Sequence, residues 1–411
     1  MTAFSIPGHC QGYLDWQDVP CGTFCSGDHP RMGYLRILIP SICCPGVVGS
    51  FIMSRNPALY DRRHTTVGSY SPDQTAPPQT AGEAVTSSLR YVLTHGERIT
   101  TASGKTWLEA LAFQTGMCEP RRRIFTHSVR GLDLVAAISR FVWMMRGDES
   151  ASAIAYYVPR AGAYAPDGLA LPGSNYGHRL RRSLPGVDQV QGVVNRLRAQ
   201  PESRQAGTVI WNPMDAVREP IDVPCAVGTL YHLRSAGLCA MTMMRSNKPL
   251  TLMPFNFFEF SLLGEVIAAE LGAPLGPYRH WVGAMQLPGP EIARAEEFLQ
   301  GARCDVEMAI MPSDPAPLAQ INVLARLEER LRAAHDGKEL QELLAEAVDV
   351  LHPYWIAFAR VLSLRWYMLR ERLAEAVGEI EKLPDYFAEP ISTMKSLQTN
   401  PGHMSPIAGR G

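Results

Sequence analysis

Apolar residues along the chain follow helical spacing in some segments and form β-branched runs in others. The apolar segment 130–145 predicts a helix, because Gly147 follows it in the position where helices commonly stop. Residues 188–198 keep their apolar side chains on one side and predict an amphipathic helix, and residues 257–271 predict a buried one. Strands are predicted at 207–211, 225–233 and 238–244.

These elements mix helices and strands without regular βαβ alternation, which favours an α+β architecture over a doubly wound sheet. We expect order to begin near Ala84, because residues 54–86 are rich in Ser, Pro, Thr and Gln. A polar turn is predicted at 100–105. The Gly- and Pro-rich segment 160–184 predicts a long loop, and long loops in compact domains are often functional.

The pattern changes near Pro317, where charged amphipathic helices begin and continue to about Lys382. We interpret them as a helical appendage that buries its apolar stripe on the core or on a second subunit. The last twenty residues show no periodic pattern and predict no structure. We divide the chain into a partly disordered lead (1–83), a mixed domain (84–310), a helical region (311–390) and a disordered tail (391–411).

The amino-acid composition limits the kinds of partner that the protein can bind. The 411 residues carry a net charge of −1, with 46% hydrophobic and 19% charged residues, which is typical of a globular protein without a basic surface for nucleic acid. The apolar segment 34–53 is interrupted by Arg36, Pro40 and Pro45, so we expect no membrane span there. One interpretation is that translation starts at Met53, so that residues 1–52 are not part of the working protein.

The nine cysteines are an odd and unpatterned set, with five in the first 44 residues. Such a set argues against a disulfide framework and for a reducing compartment, so we expect a cytoplasmic protein. Two histidines and three cysteines near the N-terminus could suggest a zinc site: His9, Cys10, Cys21, Cys25 and His29. Their spacing matches no zinc finger or zinc ribbon, so we expect no metal.

The stretch 225–256 carries the residues best suited to handle a nucleotide. Cys225 offers a thiolate, which adds readily to an electron-poor ring carbon. Arg245 offers a bidentate fork for phosphate, and Ser246 adds a hydroxyl. The amide of Asn256 can pair with the N3–H and O4 edge of uracil. Taken singly each signal is weak, since an isolated cysteine is most often a buried small hydrophobic residue.

Their joint spacing resembles that of the thymidylate synthase and pyrimidine hydroxymethylase superfamily. Arg245 follows Cys225 by 20 residues and Asn256 follows it by 31, as the family's phosphate arginine and base-reading asparagine follow its nucleophile. Three further segments are similar to the family: Trp143 to Asp148, Asn175-Tyr176-Gly177, and residues 188–212. The resemblance covers about 90–300 and is most specific over 188–272.

The resemblance implies a mixed sheet with surrounding helices and a homodimer that acts on a pyrimidine 5′-nucleotide. Cys225 would attack C6 of the base, Tyr176 would lie beside C5, and Asn256 would read the base. The phosphate ligands would be Arg245, Ser246, the mobile-loop Arg98 and Arg204 from the partner subunit. The carbon would come from 5,10-methylenetetrahydrofolate, to yield a 5-methyl or a 5-hydroxymethyl pyrimidine.

Several positions depart from the family pattern. Arg140 stands where the family has its catalytic glutamate, and Ala226 replaces the histidine after the nucleophile. Lys248 and Leu252 replace the aspartate and glycine that support the pterin, and Gln286-Leu287-Pro288 replaces the ribose-binding His-x-Tyr. The nucleotide residues are thus kept better than the folate residues. The alternative is a degenerate homologue that binds a nucleotide or serves as a dimeric scaffold without catalysis.

Branch-specific residues point in two directions. The Met244-Arg245-Ser246-Asn247 stretch is closer to the hydroxymethylase branch, whereas Asn256 is the synthase choice and indicates a uracil-type base. The sequence therefore leaves methylation and hydroxymethylation both open.

Overall fold

A computed structural model describes residues 77–102, 104–217 and 222–394. Several predictions lie outside these residues: the apolar segment 34–53, the start at Met53, the histidines and cysteines at 9–29, and most of the predicted C-terminal tail.

The described residues form a six-stranded sheet and a separate two-stranded one. The large sheet has the order β1-β2-β7-β6-β5-β4, and the small one pairs β3 with β8. Only β6 and β7 run parallel among these described strands. The strands are β1 (Glu97–Thr100), β2 (Thr106–Met117), β3 (Ile124–His127), β4 (Gly207–Val209), β5 (Ala226–Arg234), β6 (Gly237–Asn247), β7 (Leu275–Pro288) and β8 (Arg303–Val306).

Helices surround the large sheet and extend to the C-terminal end of the described chain. Those up to residue 300 are α1 (Ala81–His95), α2 (Leu134–Arg146), α3 (Ala151–Tyr157), α4 (Tyr176–Arg181), α5 (Gln189–Ala199), α6 (Met253–Glu270) and α7 (Ile292–Gln300). The later ones are α8 (Pro317–Ala333), α9 (Gly337–Val350), α10 (Pro353–Leu369), α11 (Leu373–Ile380) and α12 (Asp385–Ser392). The predicted α+β class, with a mixed sheet inside surrounding helices, is confirmed.

Helix α6 is the central helix of the fold and connects the parallel strands β6 and β7. It is apolar on nearly every side, which is typical of a helix buried all round. Phe257, Phe258 and Phe260 are at most 1% exposed, and burial of each stabilises the fold by roughly 2 kcal/mol. A Cβ at Gly264 would lie 3.3 Å from the Cβ of Ala240 in β6, so the helix packs closely on the sheet.

The prediction of one long loop over 160–184 is wrong. A 3₁₀ helix covers Pro159–Tyr164, and α4 covers Tyr176–Arg181. The short helix α4 packs against α2 at Gly177, where a Cβ would lie 2.0 Å from the carbonyl oxygen of Met144. Packing of this kind, rather than local propensity, stabilises a helix too short to form alone.

The C-terminal helices pack on α2 and α6, so the predicted appendage buries its stripe on the core of its own chain. Leu324, Leu331 and Leu344 are among its fully buried side chains. One continuous hydrophobic core therefore includes both the mixed domain and the helical region, and the boundary drawn between them at 310 stays a prediction. Within the described ranges, no helix has the length and apolarity needed to span a bilayer.

Candidate active site

Cys225 lies in the loop directly before β5, beside the hydroxyl of Tyr176. The backbone N–H groups of Cys225 and Ala226 both donate to this hydroxyl, at 3.2 Å each. The sulfur of Cys225 lies 3.8 Å from the Oγ of Ser246 on the adjacent strand β6. Three of the residues singled out in the sequence therefore meet at one point: the cysteine, the tyrosine and the serine.

Tyr176 is the first residue of α4 and is 8% exposed. Burial raises the pKa of Tyr176 well above its usual value, and electrostatic repulsion from the neighbouring Cys225 raises it further. The phenol therefore keeps its proton at neutral pH. Because its oxygen accepts from two backbone N–H groups, the O–H bond is left to donate toward a ligand.

Arg245 lies at the end of β6 and binds the cysteine loop. Its Nε donates to the carbonyl of Pro224 at 2.9 Å and its Nη2 to that of Val223 at 3.1 Å. Nη1 donates to the Oγ of Ser246 at 3.2 Å. The guanidinium is exposed, so it can meet an incoming anion while it holds the loop in place.

Asn256 lies in the first turn of α6 and is 5% exposed. One turn further along the same helix, Glu259 forms an ion pair with Arg140 of α2. Arg140 stands at the position of the family's glutamate. A carboxylate is therefore still present at this point, but it belongs to Glu259 of α6 rather than to α2. Neither the partner nor the pairing was predicted from the sequence.

Two polar residues missed in the sequence organise the loops around the cysteine. Asp222 accepts hydrogen bonds from Gly173 and from Ser174, in the turn before Tyr176. Arg179 is 9% exposed and donates to Asp215 and to three other oxygens. No periodicity or motif marks either residue, since each works through contacts with segments distant in sequence.

The positions that would support a pterin carry different chemistry. The ammonium of Lys248 lies 5.5 Å from the centre of the Trp107 ring, so a cation already covers the nearby aromatic face. Leu252 is 38% exposed, and Gln286, at the ribose position rather than a pterin position, donates to Glu109 at 2.6 Å. A cation in place of a carboxylate cannot accept hydrogen bonds from a pterin ring. These residues do not match the group that the resemblance implies.

Arg98 and Arg204 lie apart from the cysteine cluster. Arg98 is an exposed residue of the edge strand β1, and Arg204 is exposed in the turn before β4. Among those segments, no group of His, Cys, Asp and Glu side chains is arranged to hold a metal ion.

Comparison with known proteins identifies relatives of this chain. A thymidylate synthase of Bacillus licheniformis is 34% identical over 116 residues, which cover 27% of this chain and 41% of that protein. A deoxyuridylate hydroxymethyltransferase of Pseudomonas phage M6 is 24% identical over 200 residues, or 48% of this chain and 56% of that protein. The chain therefore spans less than two thirds of the length of these curated relatives.

Among solved structures, thermostable thymidylate synthase A from Bacillus subtilis matches with a TM-score of 0.47 and 21% identity, over 55% of this chain and 86% of that one. The family model for thymidylate synthase matches residues 86–315, more than half of the 411 residues. The chain belongs to the thymidylate synthase family.

Proposed function

We propose that the protein transfers a one-carbon group to C5 of a pyrimidine 5′-nucleotide with a uracil-type base, through an adduct between Cys225 and C6. The observation that carries the proposal is the cluster around Cys225. Its backbone is bound to the Tyr176 hydroxyl at 3.2 Å, and its sulfur lies 3.8 Å from Ser246. Packing alone does not require a thiol, a phenol and a hydroxyl to meet beside an exposed arginine.

The proposed chemistry begins when the Cys225 thiolate forms a bond to C6. The electron pair of the C5–C6 double bond then moves toward the C4 carbonyl, giving an enolate with a nucleophilic C5. C5 attacks the carbon of the one-carbon donor, and the electron pair of the bond that breaks there moves onto the donor's carrier. C5 then passes its proton to water, and the resulting enolate expels the Cys225 thiolate as the C5–C6 double bond returns. Tyr176, which keeps its own proton, would donate a hydrogen bond beside C5 rather than remove the proton directly.

We propose that Arg245 and Ser246 hold the 5′-phosphate, with Arg98 and Arg204 completing its ligands and Asn256 reading the base. The exposed guanidinium of Arg245 supports this, since it is bonded to Ser246 and lies at the entrance to the cysteine loop. Charge-assisted bonds from a guanidinium to phosphate are among the stronger hydrogen bonds in proteins.

The role of Arg204 requires a homodimer, which the outer face of the large sheet supports. Val209, Leu230 and Trp281 are 60%, 40% and 39% exposed. The strand register puts them on one face, opposite the face covered by α6. A contiguous apolar patch on a sheet face is typical of a protein interface. If light scattering finds a monomer, the shared role of Arg204 is wrong.

The family's carbon donor is 5,10-methylenetetrahydrofolate, but Lys248 and Leu252 do not match its pterin. The donor is therefore not assigned to folate, and the assay with and without methylenetetrahydrofolate identifies it. We place the reaction in the cytoplasm, where nucleotides are available and thiols such as Cys225 stay reduced.

A second candidate is a dimer that binds a nucleotide without catalysis. The specific observation in its favour is Arg140, a cation where the family has its catalytic glutamate. In this alternative, Cys225, Arg245 and Asn256 would serve binding alone.

Release of tritium from 5-labelled UMP, dUMP, CMP and dCMP, with and without methylenetetrahydrofolate, tests the proposal. We expect release from a uracil nucleotide and a loss of at least about 100-fold in Cys225→Ser. Cys239→Ser, on β6, is the matched control and should keep the activity. If no nucleotide releases tritium, or Cys225→Ser releases it at the same rate, the enzyme proposal is wrong for these substrates. Nucleotide binding measured by calorimetry would then support the second candidate.

A further inference from the structure

The pairing of Arg140 with Glu259 leaves one side of the guanidinium open. Nε and Nη2 of Arg140 donate to the two carboxylate oxygens of Glu259, in a fork that fixes the plane of the group. The Glu259 side chain is 3% exposed, so it is held behind the arginine. The N–H groups of Nη1 have no acceptor among the described residues, and the Arg140 side chain is 28% exposed.

The contacts of Arg140 place its guanidinium at the start of α6, where Asn256 also lies. Its guanidinium lies 5.4 Å from the centre of the Phe255 ring, so one face is covered. Phe255, Asn256 and Glu259 all belong to the first two turns of α6. Residues three apart on a helix are neighbours on one face, so the guanidinium bound to Glu259 lies within a turn of the Asn256 amide.

Charge supports the same arrangement. Burial lowers the pKa of Arg140, but the charge and hydrogen bond of Glu259 raise it more, and Tyr176 and Cys225 add to the increase. Arg140 therefore stays cationic in the pH range of the reaction. Arg140 also lies on α2, which packs against α4, the helix that begins with Tyr176.

We propose that Arg140, held in place by Glu259, donates a hydrogen bond to O4 of the pyrimidine and thereby selects a 4-keto base over a 4-amino base. The inference rests on the proposed function, and it names the residue that determines the substrate class. Arg140 would touch the substrate, whereas Glu259 would be a positioning residue.

The selectivity follows from donor and acceptor chemistry. A guanidinium has donors and no acceptor, so it can bind the O4 of uracil but meets the N4 amino group of cytosine donor against donor. An asparagine amide can rotate to suit either base, so Asn256 alone is a weaker discriminator. When the Cys225 thiolate adds to C6, the electron pair moves to O4, and a cation there stabilises the resulting enolate.

Calorimetric binding of UMP against CMP, and of dUMP against dCMP, tests the proposal without any need for turnover. We expect the wild-type protein to prefer the uracil nucleotide by about tenfold or more, the usual effect of one unmatched buried polar group. In Arg140→Gln the preference should fall to within about threefold, since a glutamine amide can donate or accept. Glu259→Gln should reduce the preference less, because Arg140 remains but is held less firmly.

Arg146→Gln is the matched control, because Arg146 lies on the same helix and also pairs with carboxylates, away from Cys225. It should keep the base preference. If Arg140→Gln does not fold, as judged by its thermal transition, the double variant Arg140→Gln/Glu259→Gln replaces it, since it removes the guanidinium without leaving the Glu259 carboxylate unpaired, and its base preference should likewise fall to within about threefold.

The proposal is overturned if the wild-type protein shows no base preference, if it binds none of the four nucleotides, or if the preference is unchanged in the Arg140 variant. Failure of the proposed function gives a different result: a uracil preference that depends on Arg140, with no tritium released. A lack of selectivity together with release that requires Cys225 would reject only the present inference.

Discussion

Asp222 and Ser174 are joined by two hydrogen bonds of 2.6 Å, from the backbone N–H and from the hydroxyl of the serine to the aspartate carboxylate. The N–H of Gly173 adds a third, at 3.0 Å. Asp222 opens the loop that ends at Cys225, and Ser174 opens the turn that leads to Tyr176. The carboxylate therefore fixes Cys225 and the neighbouring phenol of Tyr176 relative to each other.

Asp222→Ala should disturb both loops at once. Hydrogen bonds to a charged group contribute about 1.5–3 kcal/mol each, so we expect a loss of at least about 2 kcal/mol in stability and a fall in tritium release. Asp167→Ala is the control, because Asp167 accepts two backbone N–H groups in an exposed loop. Its thermal midpoint should change much less. Equal shifts in the two variants would contradict a coupling role for Asp222.

Arg245 has two roles that a binding experiment can separate, since it contacts the cysteine loop and also faces solvent. Arg245→Ala should weaken UMP binding by about 2 kcal/mol, the usual cost of losing a charge-assisted pair. If the weaker binding comes from a lost contact with the phosphate, the affinity for uridine, which has no phosphate, should change little. An equal loss for uridine and UMP would show instead that the loop had moved.

Most of the fold near the site could be predicted from the sequence, because its elements have strong local patterns. Helix α5 and strands β5 and β6 were found within one to three residues of their ends. Strand β7, with 14 residues, was not predicted, because Gly276, Pro277 and Gly283 interrupt its pattern. Pairing with β2 and β6 stabilises this strand, although its local sequence has a weak preference for β structure.

The residues of the candidate site also differ in whether the sequence alone could identify them. Cys225, Arg245 and Asn256 could be singled out because their spacing resembles that of the family's nucleophile, phosphate arginine and base-reading asparagine. Glu259 is not, since it acquires its role from Arg140, which is 119 residues away in sequence. A single-residue comparison therefore presents Arg140 as a lost glutamate, whereas the structure shows a guanidinium and a carboxylate together. Arg140→Glu alone would leave that second carboxylate facing the new one.

Gly177 tests the contact that positions Tyr176. A Cβ at this position would meet the carbonyl of Met144 at 2.0 Å, so Gly177→Ala must push α4 away from α2. Backbone shifts of this kind cost about 1–3 kcal/mol or more, and tritium release should fall with stability. Gly192→Ala, inside α5 with nothing within 4 Å of the added Cβ, should be neutral or slightly stabilising. Similar thermal midpoints for the two variants would contradict the close approach.

Glu328 tests how the C-terminal helices are held on the core. Its carboxylate accepts from Arg146 at 3.1 Å, from Tyr157 at 2.9 Å and from Arg332 at 2.9 Å. Glu328→Gln removes the counter-charge of a buried cluster and should destabilise by about 3 kcal/mol. Glu346→Gln, in an exposed pair with Arg330, should change the thermal midpoint little.

His280 should make stability depend on pH. The ring is fully buried, and burial lowers its pKa from 6.5 to about 3. The side-chain amide of Asn247 also disfavours a proton on Nε2 of His280. Asn247 accepts the N–H of Lys248 through Oδ1, so its Nδ2 faces the ring at 2.9 Å and Nε2 of His280 must accept. A second proton would set donor against donor.

The sign of the effect follows from this lowered pKa. Below about pH 6.5 the unfolded chain binds a proton at His280 that the folded chain does not, so stability falls as the pH decreases toward 3. By pH 5 the loss from this residue is about 2 kcal/mol. His280→Gln should therefore narrow the difference in thermal midpoint between pH 7.5 and pH 5. His335→Gln, at an exposed position, should leave that difference unchanged. An equal difference in all three proteins would mean that His280 is protonated in the folded state and that Nδ2 of Asn247 does not face its ring.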